Sequence, residues 1–170
     1  RPPRNRPPLP RRVVVTRVEP MRAPAATLRI LAISLDLDDT LWPVEPAISA
    51  AELALDAWLR SKHPRVARTW PVPAMRALRE RIAAQRPDLA HDFSAQRRLT
   101  LVHALADCGV DEAWVEPACE VYFAARNRVE CYSDARPALA ALASRLPLVS
   151  ITNGNADLAR IGLDHLFTVQ

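Results

Sequence analysis

Apolar and polar positions fall into three regimes along this chain. Ile30 to Leu35 is a short apolar run with the length and β-branched content of a buried strand, and it breaks into Asp36-Leu37-Asp38-Asp39-Thr40-Leu41-Trp42. A strand buried on both faces cannot hold charge in its middle, so the acids mark its C-terminal end. From Pro43 the apolar spacing becomes helical. It predicts helices over Ile48–Arg60 (Leu53, Ala57 and Leu59 among the apolar residues), Pro73–Gln85 (Met75, Leu78, Ile82) and Ser94–Cys108 (Leu99, Val102, Leu105, Ala106). A fourth runs over Asp111–Arg128, kinked or begun at Pro117. Ser94 is the expected N-cap of the third helix and Gly109 its C′ residue. The last regime returns to mixed structure. Tyr132-Ser133-Asp134 is expected to cap a helix over Ala135–Leu146, with Leu139, Leu142 and Leu146 inward. A buried strand over Leu148–Ile151 leads to Thr152-Asn153-Gly154-Asn155, a helix from about Ala156 to Arg160, and the start of another strand at Leu166–Val169.

Strand, helix and strand in this order predict an α/β fold with a parallel sheet, in which ligands gather at the C-terminal strand ends. Asp36 and Asp38 are two apart, so a continuing strand points both the same way. Carboxylates so placed repel each other, and a divalent cation or a shared proton relieves this. Mg²⁺ suits the site because it takes one or two carboxylates and keeps waters for a phosphate. The plainer alternative is an acidic turn after the strand, capped by Asp39 and Thr40. At the second strand end, Gly154 allows close backbone approach to an oxyanion. The Thr152 hydroxyl, the Asn153 amide and free N–H groups at the helix start are donors suited to phosphate. Taken alone, it is equally a polar strand-to-helix turn.

The apolar run ending in Asp-Leu-Asp-Asp-Thr-Leu, with the strand ending in Thr-Asn-Gly-Asn, resembles the first two motifs of the haloacid dehalogenase-like (HAD) superfamily of phosphohydrolases. The resemblance implies a Rossmann-like core with an incomplete parallel sheet and an inserted all-helical cap of the C1 type. Core segments are then 23–42 and 133–170, and the cap is 43–132. It implies that Asp36 attacks phosphorus, and that Asp38 is the general acid/base while its backbone carbonyl binds Mg²⁺. Asp36 and Asp38 together form the metal site, and Thr152, Asn153 and Gly154 hold the phosphoryl group. Within the superfamily the chain looks closest to bacterial flavin-pathway phosphatases acting on FMN or the ribitylamino-uracil phosphate precursor of riboflavin. That match is carried by His63-Pro64, Pro87 to Phe93, Arg97 and Ile151 to Asn155. The implied partner is a small phosphorylated metabolite. Arg97 is the expected substrate contact in the cap, against the alternative of a solvated helix arginine. His91 and Asp92 are read as capping the helix at Ser94.

Composition adjusts this picture. Residues 1–20 hold six arginines and a single acid, Glu19, while the remaining 150 residues hold 17 basic and 18 acidic side chains. The basicity of the whole chain, +4, therefore belongs to an Arg/Pro-rich tail. That tail, residues 1–22, is expected to be disordered, and the rest offers no case for nucleic-acid binding. No apolar run reaches 18 residues, so no membrane span is expected. Cys108, Cys119 and Cys131 have no metal-ligand spacing and read as reduced thiols of a cytoplasmic protein. The superfamily's later motifs supply a lysine and an acidic pair. Here Lys62 is the only lysine and lies in the cap, and Asp157 and Asp164 come too early for the pair. The 170 residues are accordingly expected to be a fragment without turnover of its own. Two rivals accompany the phosphatase reading. One is a non-catalytic HAD-like binding module. The other is a 2-haloacid dehalogenase, which shares the nucleophile but needs no acid at position 38.

Overall fold

The computed structural model describes residues 29–169; the expectations for the tail, and for the core before residue 29, lie outside them. Strands β1 (Ile33–Leu35) and β2 (Leu148–Ser150) pair in parallel, with Ile33 opposite Leu148 and Leu35 opposite Ser150. Val169 bridges Val149 in parallel, so the Leu166–Val169 segment does bring a third strand position to the sheet, on the far side of β2. β1 is shorter than the apolar run. Ile30 and Leu31 are 66% and 69% exposed. The ladder stops where the Ile33 N–H meets the Pro147 carbonyl, and a proline has no N–H with which to continue it.

Seven α-helices are described: α1 (Val44–Lys62), α2 (Pro64–Thr69), α3 (Val72–Gln85), α4 (Phe93–Asp107), α5 (Val115–Arg126), α6 (Ala135–Ala143) and α7 (Leu158–Ile161). The first five lie between β1 and α6 with no strand among them. The helix predicted over Ile48–Arg60 extends to Lys62, and Pro64 follows its end. It also begins α2, because proline at the first helical position lacks an N–H that would have no partner there. Pro117 is accommodated in the first turn of α5 for the same reason.

Sequence periodicity and burial part company on two helices. Leu53 on α1 is 64% exposed, and the buried face is Ala47, Ala51, Glu52, Leu55 and Leu59. On α4 the buried face holds Gln96, Arg97, Thr100, Leu101, Ala104 and Leu105, so Ala106 points outward and Leu99 and Val102 are only partly covered. Both faces carry buried polar side chains, which a count of apolar spacing assigns to solvent. The N-cap of α4 is Asp92, whose Oδ1 accepts from the Ala95 N–H, rather than Ser94. Gly109 takes its expected place after α4 at φ +70°. Asp134 precedes α6 but makes no side-chain cap.

Two hydrophobic clusters result. One joins α1 to α5 around Leu55, Leu59, Val66, Leu101, Leu105 and Tyr122. The other packs Leu37, Leu41 and Trp42 against Leu139, Leu148, Leu158, Leu163 and Phe167. Each fully buried leucine is worth about 1.5–3 kcal/mol relative to exposure. The acidic end of β1 and the loop after β2 lie where the two meet.

Candidate active site

The segment after β1 keeps strand alternation for three residues. Leu37 is buried in the second cluster, while Asp36 and Asp38 both line a cleft of about 410 Å³. The chain then turns. Asp39 adopts φ +58°, a left-handed conformation that aspartate tolerates better than most residues. Its Oδ1 accepts from the Val44 N–H at the start of α1. All three acids line the cleft, but the Asp39 carboxylate is engaged by the first N–H of α1.

Parallel pairing brings the second motif to the same place. Asn153, Gly154 and Asn155 line the cleft with Asp36 and Asp38. Gly154 lies directly against the Asp38 carboxylate: a Cβ there would overlap Oδ2. Thr152 sits behind the lining, half-buried, with its Oγ1 accepting from the Gly154 N–H at 3.1 Å. One expectation fails here. The N–H groups at the start of α7 are not open donors, because the helix begins at Leu158 and Asp157 Oδ1 accepts from Ala159 and Arg160. An N-cap aspartate occupies the place that an anion would take.

Asp38 is the most constrained side chain in the cleft. Its Oδ1 accepts from Trp42 Nε1 at 2.8 Å, and Arg126 Nη2 donates to Oδ1 at 2.7 Å and Oδ2 at 2.6 Å. Trp42 is fully buried and Arg126 is 1% exposed. Asp36 is exposed, and one of its oxygens accepts from the Leu37 N–H.

The helical side of the cleft contributes Val44, Ile48, Arg79, Phe93, Arg97 and Tyr122. Arg97 is not a solvated helix arginine. It is 2% exposed, with its guanidinium 4.1 Å from the Tyr122 ring centroid, Nη2 donating to the Tyr122 hydroxyl at 3.1 Å, and Glu52 at 3.6 Å. Glu52 in turn accepts from Arg76 Nε at 2.6 Å, which pushes the Arg76 pKa above its ordinary value, chiefly through that hydrogen bond. Sequence reasoning missed Arg126, Tyr122, Arg79, Phe93 and Asn155 as cleft residues. The available signal was the i, i+4 spacing of Tyr122 and Arg126 on one helix, which shows a shared face and not where that face points.

The helical and sheet layers are also tied outside the cleft. Asn127 Oδ1 accepts from the Asp157 N–H at 2.8 Å. Arg160 on α7 meets Glu120 on α5 through two hydrogen bonds of 2.8 and 2.9 Å. That fork holds the Glu120 carboxyl below the usual glutamate range and raises Arg160, in both cases chiefly by the shared hydrogen bond. α5 therefore carries both the Arg126 contact with Asp38 and the Glu120 contact with α7.

A family model described as haloacid dehalogenase-like hydrolase matches residues 30–169. The chain belongs to the haloacid dehalogenase-like hydrolases. Among curated HAD relatives, it is 32% identical over 143 residues to the 5-amino-6-(5-phospho-D-ribitylamino)uracil phosphatase YigB of Escherichia coli (strain K12). That match covers 82% of this chain and 60% of the relative. Among solved HAD structures, 2-haloacid dehalogenase from Pseudomonas syringae pv. Tomato DC3000 matches at TM-score 0.75 and 38% identity, over 83% of this chain and 63% of that one. The magnesium-bound HAD-hydrolase YfnB from Bacillus subtilis matches at TM-score 0.50 and 18% identity, over 83% of this chain and 64% of that one, a likeness of fold alone. The chain thus spans about three fifths of the length of these relatives. Its fold is the Rossmann-like HAD core with a helical cap. Among the described residues, no helix is long and apolar enough to cross a membrane.

Proposed function

We propose that this HAD hydrolase is a Mg²⁺-dependent phosphomonoesterase that works through an aspartyl-phosphate. The observation that carries the reading is the meeting of Asp36, Asp38 and Asn153-Gly154-Asn155 in one cleft, with Gly154 against the Asp38 carboxylate. Asp36 is the nucleophile: its carboxylate attacks phosphorus, the P–O bond to the alcohol breaks, and Asp38 gives the leaving oxygen its proton. Asp38 then takes a proton from water, which attacks the aspartyl-phosphate and releases inorganic phosphate. Asn153, which lines the cleft, and the Thr152 hydroxyl, which accepts from the Gly154 N–H and keeps its own proton to donate, are assigned to hold the non-bridging oxygens, where negative charge builds, with Gly154 giving the backbone its close approach.

The oxygen donors present suit Mg²⁺. Asp36 offers an exposed carboxylate and Asp38 its backbone carbonyl; of the Asp38 carboxylate oxygens, Oδ1 accepts from both Trp42 and Arg126, and Oδ2, which meets Arg126 alone, is the one we assign to carry the proton. Mg²⁺ binds through one or two such groups and keeps several waters. When bound, the ion offsets charge on the phosphoryl oxygens.

The substrate we assign is a small phosphorylated metabolite of the cytoplasm, in the class of flavin precursors or FMN. The YigB relative's activity supports this class, and Phe93, Tyr122 and the cap arginines give the cleft both apolar and cationic walls. A second reading is favoured by the 38% identity to a 2-haloacid dehalogenase. Displacing halide uses the same nucleophile but needs no acid at position 38. Assay of the full-length enzyme on p-nitrophenyl phosphate with Mg²⁺, and on a 2-haloacid without it, separates the two. Phosphate release lost in Asp36→Asn is the expected result, and halide release alone overturns the proposal.

A further inference from the structure

Val44, Ile48 and Phe93 are half-buried apolar side chains on the helical side of the cleft, and none of them packs into either hydrophobic cluster. They stand on α1 and at the first residue of α4. Beside them in the lining is Arg79 of α3, also half-buried. Of the three arginines in the lining, Arg97 is met by Glu52 and the Tyr122 hydroxyl, and Arg126 by Asp38. The second oxygen of Glu52 is taken by Arg76, one turn before Arg79. Among the described residues, Arg79 makes no hydrogen bond and no ion pair, so its donors are uncommitted. Arginine keeps its charge at all relevant pH, and a guanidinium in a partly desolvated wall gains most from an acceptor that enters beside it. At about 410 Å³ the cleft is of a size that encloses a whole small molecule rather than a phosphoryl group alone. With Asp36, Asp38 and Asn153 to Asn155 on its sheet side, the helical side is left for the alcohol portion of a bound ester.

We propose that Val44, Ile48, Phe93 and Arg79 form the leaving-group subsite, and that Arg79 determines specificity. It selects phosphomonoesters whose alcohol portion is an apolar or aromatic body bearing an oxygen acceptor remote from phosphorus. This rests on the phosphomonoesterase reading and names the substrate chemistry that the site accepts. The planar guanidinium offers parallel donors that match a carboxylate or the carbonyl edge of a ring. Phe93, Val44 and Ile48 cover the body between that acceptor and phosphorus. A contact so far from the reacting bond holds ground state and transition state alike, so its loss raises KM more than it lowers kcat.

The test is steady-state kinetics of the full-length enzyme and its Arg79→Gln variant, with Mg²⁺, on three esters. Phenyl phosphate has no remote acceptor, 4-carboxyphenyl phosphate has an anionic one, and FMN has ring carbonyls. The variant-to-wild-type ratio of kcat/KM is compared between esters, which cancels differences in leaving-group chemistry. The loss on an acceptor-bearing ester is expected to exceed the loss on phenyl phosphate by about 10- to 100-fold, the worth of one charge-assisted hydrogen bond, and to lie mainly in KM. An excess loss on 4-carboxyphenyl phosphate identifies an anionic acceptor, and one on FMN a ring carbonyl; either supports the proposal. Equal losses on all three esters would mean that Arg79 acts through the fold, and would overturn it, as would a wild type that prefers phenyl phosphate to both others. Should Arg79→Gln fail to fold by circular dichroism, Arg79→Met, which keeps the apolar stem, is read in the same way. If the wild type hydrolyses these esters and only the Arg79 comparison fails, the phosphomonoesterase reading survives. If the wild type hydrolyses none, that reading falls, and this proposal with it.

Discussion

Gly154 and Asp38 approach so closely that position 154 has no room for a Cβ beside the Asp38 carboxylate. The contact joins the ends of two strands far apart in sequence, and it leaves Asp38 no freedom to move toward β2. Gly154→Ala must displace Asp38, its hydrogen bonds to Arg126 and Trp42, or the loop. Misplacing a catalytic group by about 1 Å costs roughly 10²-fold in rate. In the full-length enzyme, the proposed phosphatase turnover is therefore expected to fall by about that factor, with far-UV circular dichroism unchanged.

Asp36 and Asp38 are expected to fail differently. On the proposed mechanism, Asp36→Asn replaces the nucleophilic oxygen with a far poorer one, so turnover is expected to vanish. Asp38→Asn removes the proposed acid–base catalysis, worth about 10² to 10⁴ in rate, and also deprives buried Arg126 of its carboxylate partner, so a measurable residue of activity is expected only where circular dichroism shows the fold intact. Steady-state assays of both variants in the full-length enzyme check this, and near-normal activity in Asp36→Asn would sink the mechanism.

Glu52 is 5% exposed and counters Arg97, 2% exposed, from 3.6 Å. Truncating one member of a buried pair strands the other charge at a cost of about 3–5 kcal/mol. Glu52→Ala is expected to destabilise the protein on that scale in urea denaturation. Loss of Arg76, a half-exposed partner of Glu52, should cost clearly less, because solvent screens it. Equal effects from the two variants would show that Arg97 does not depend on Glu52.

The Glu120–Arg160 fork predicts a pH dependence of known sign. The folded-state pKa of Glu120 lies below its unfolded value, so its contribution is present above the unfolded value and disappears as pH falls through the lowered one. Arg160 stays charged throughout. Carbon-13 titration of the Glu120 carboxyl should give a midpoint below the ordinary glutamate range, returning to that range in Arg160→Gln. A midpoint unchanged by that substitution would show that the fork does not persist in solution.

Much of this protein is dictated by local sequence. An apolar strand that runs into paired acids, and a second that runs into Thr-Asn-Gly-Asn, identify the α/β core and the residues that meet at its strand ends. Alternation along an extended backbone sends Leu37 one way and Asp36 and Asp38 the other whatever surrounds them. Spacing at the helical period placed α3, including Met75, Leu78 and Ile82 on its buried face, from residues within four positions of one another. What only the tertiary structure decided are the charged residues that the fold buries. Arg97, Arg126 and Glu52 look like solvated positions in any hydropathy pattern, because a guanidinium or carboxylate enters a core only when a partner from another element meets it. Those partners lie 45 residues away for Arg97 and Glu52 and 88 for Arg126 and Asp38. The free helix start expected after the second strand was likewise closed by tertiary context, since Asp157 caps α7 while Asn127 from the neighbouring layer accepts from the Asp157 N–H. Periodicity reports which residues share a face; the pairing of charges across elements depends on which faces meet.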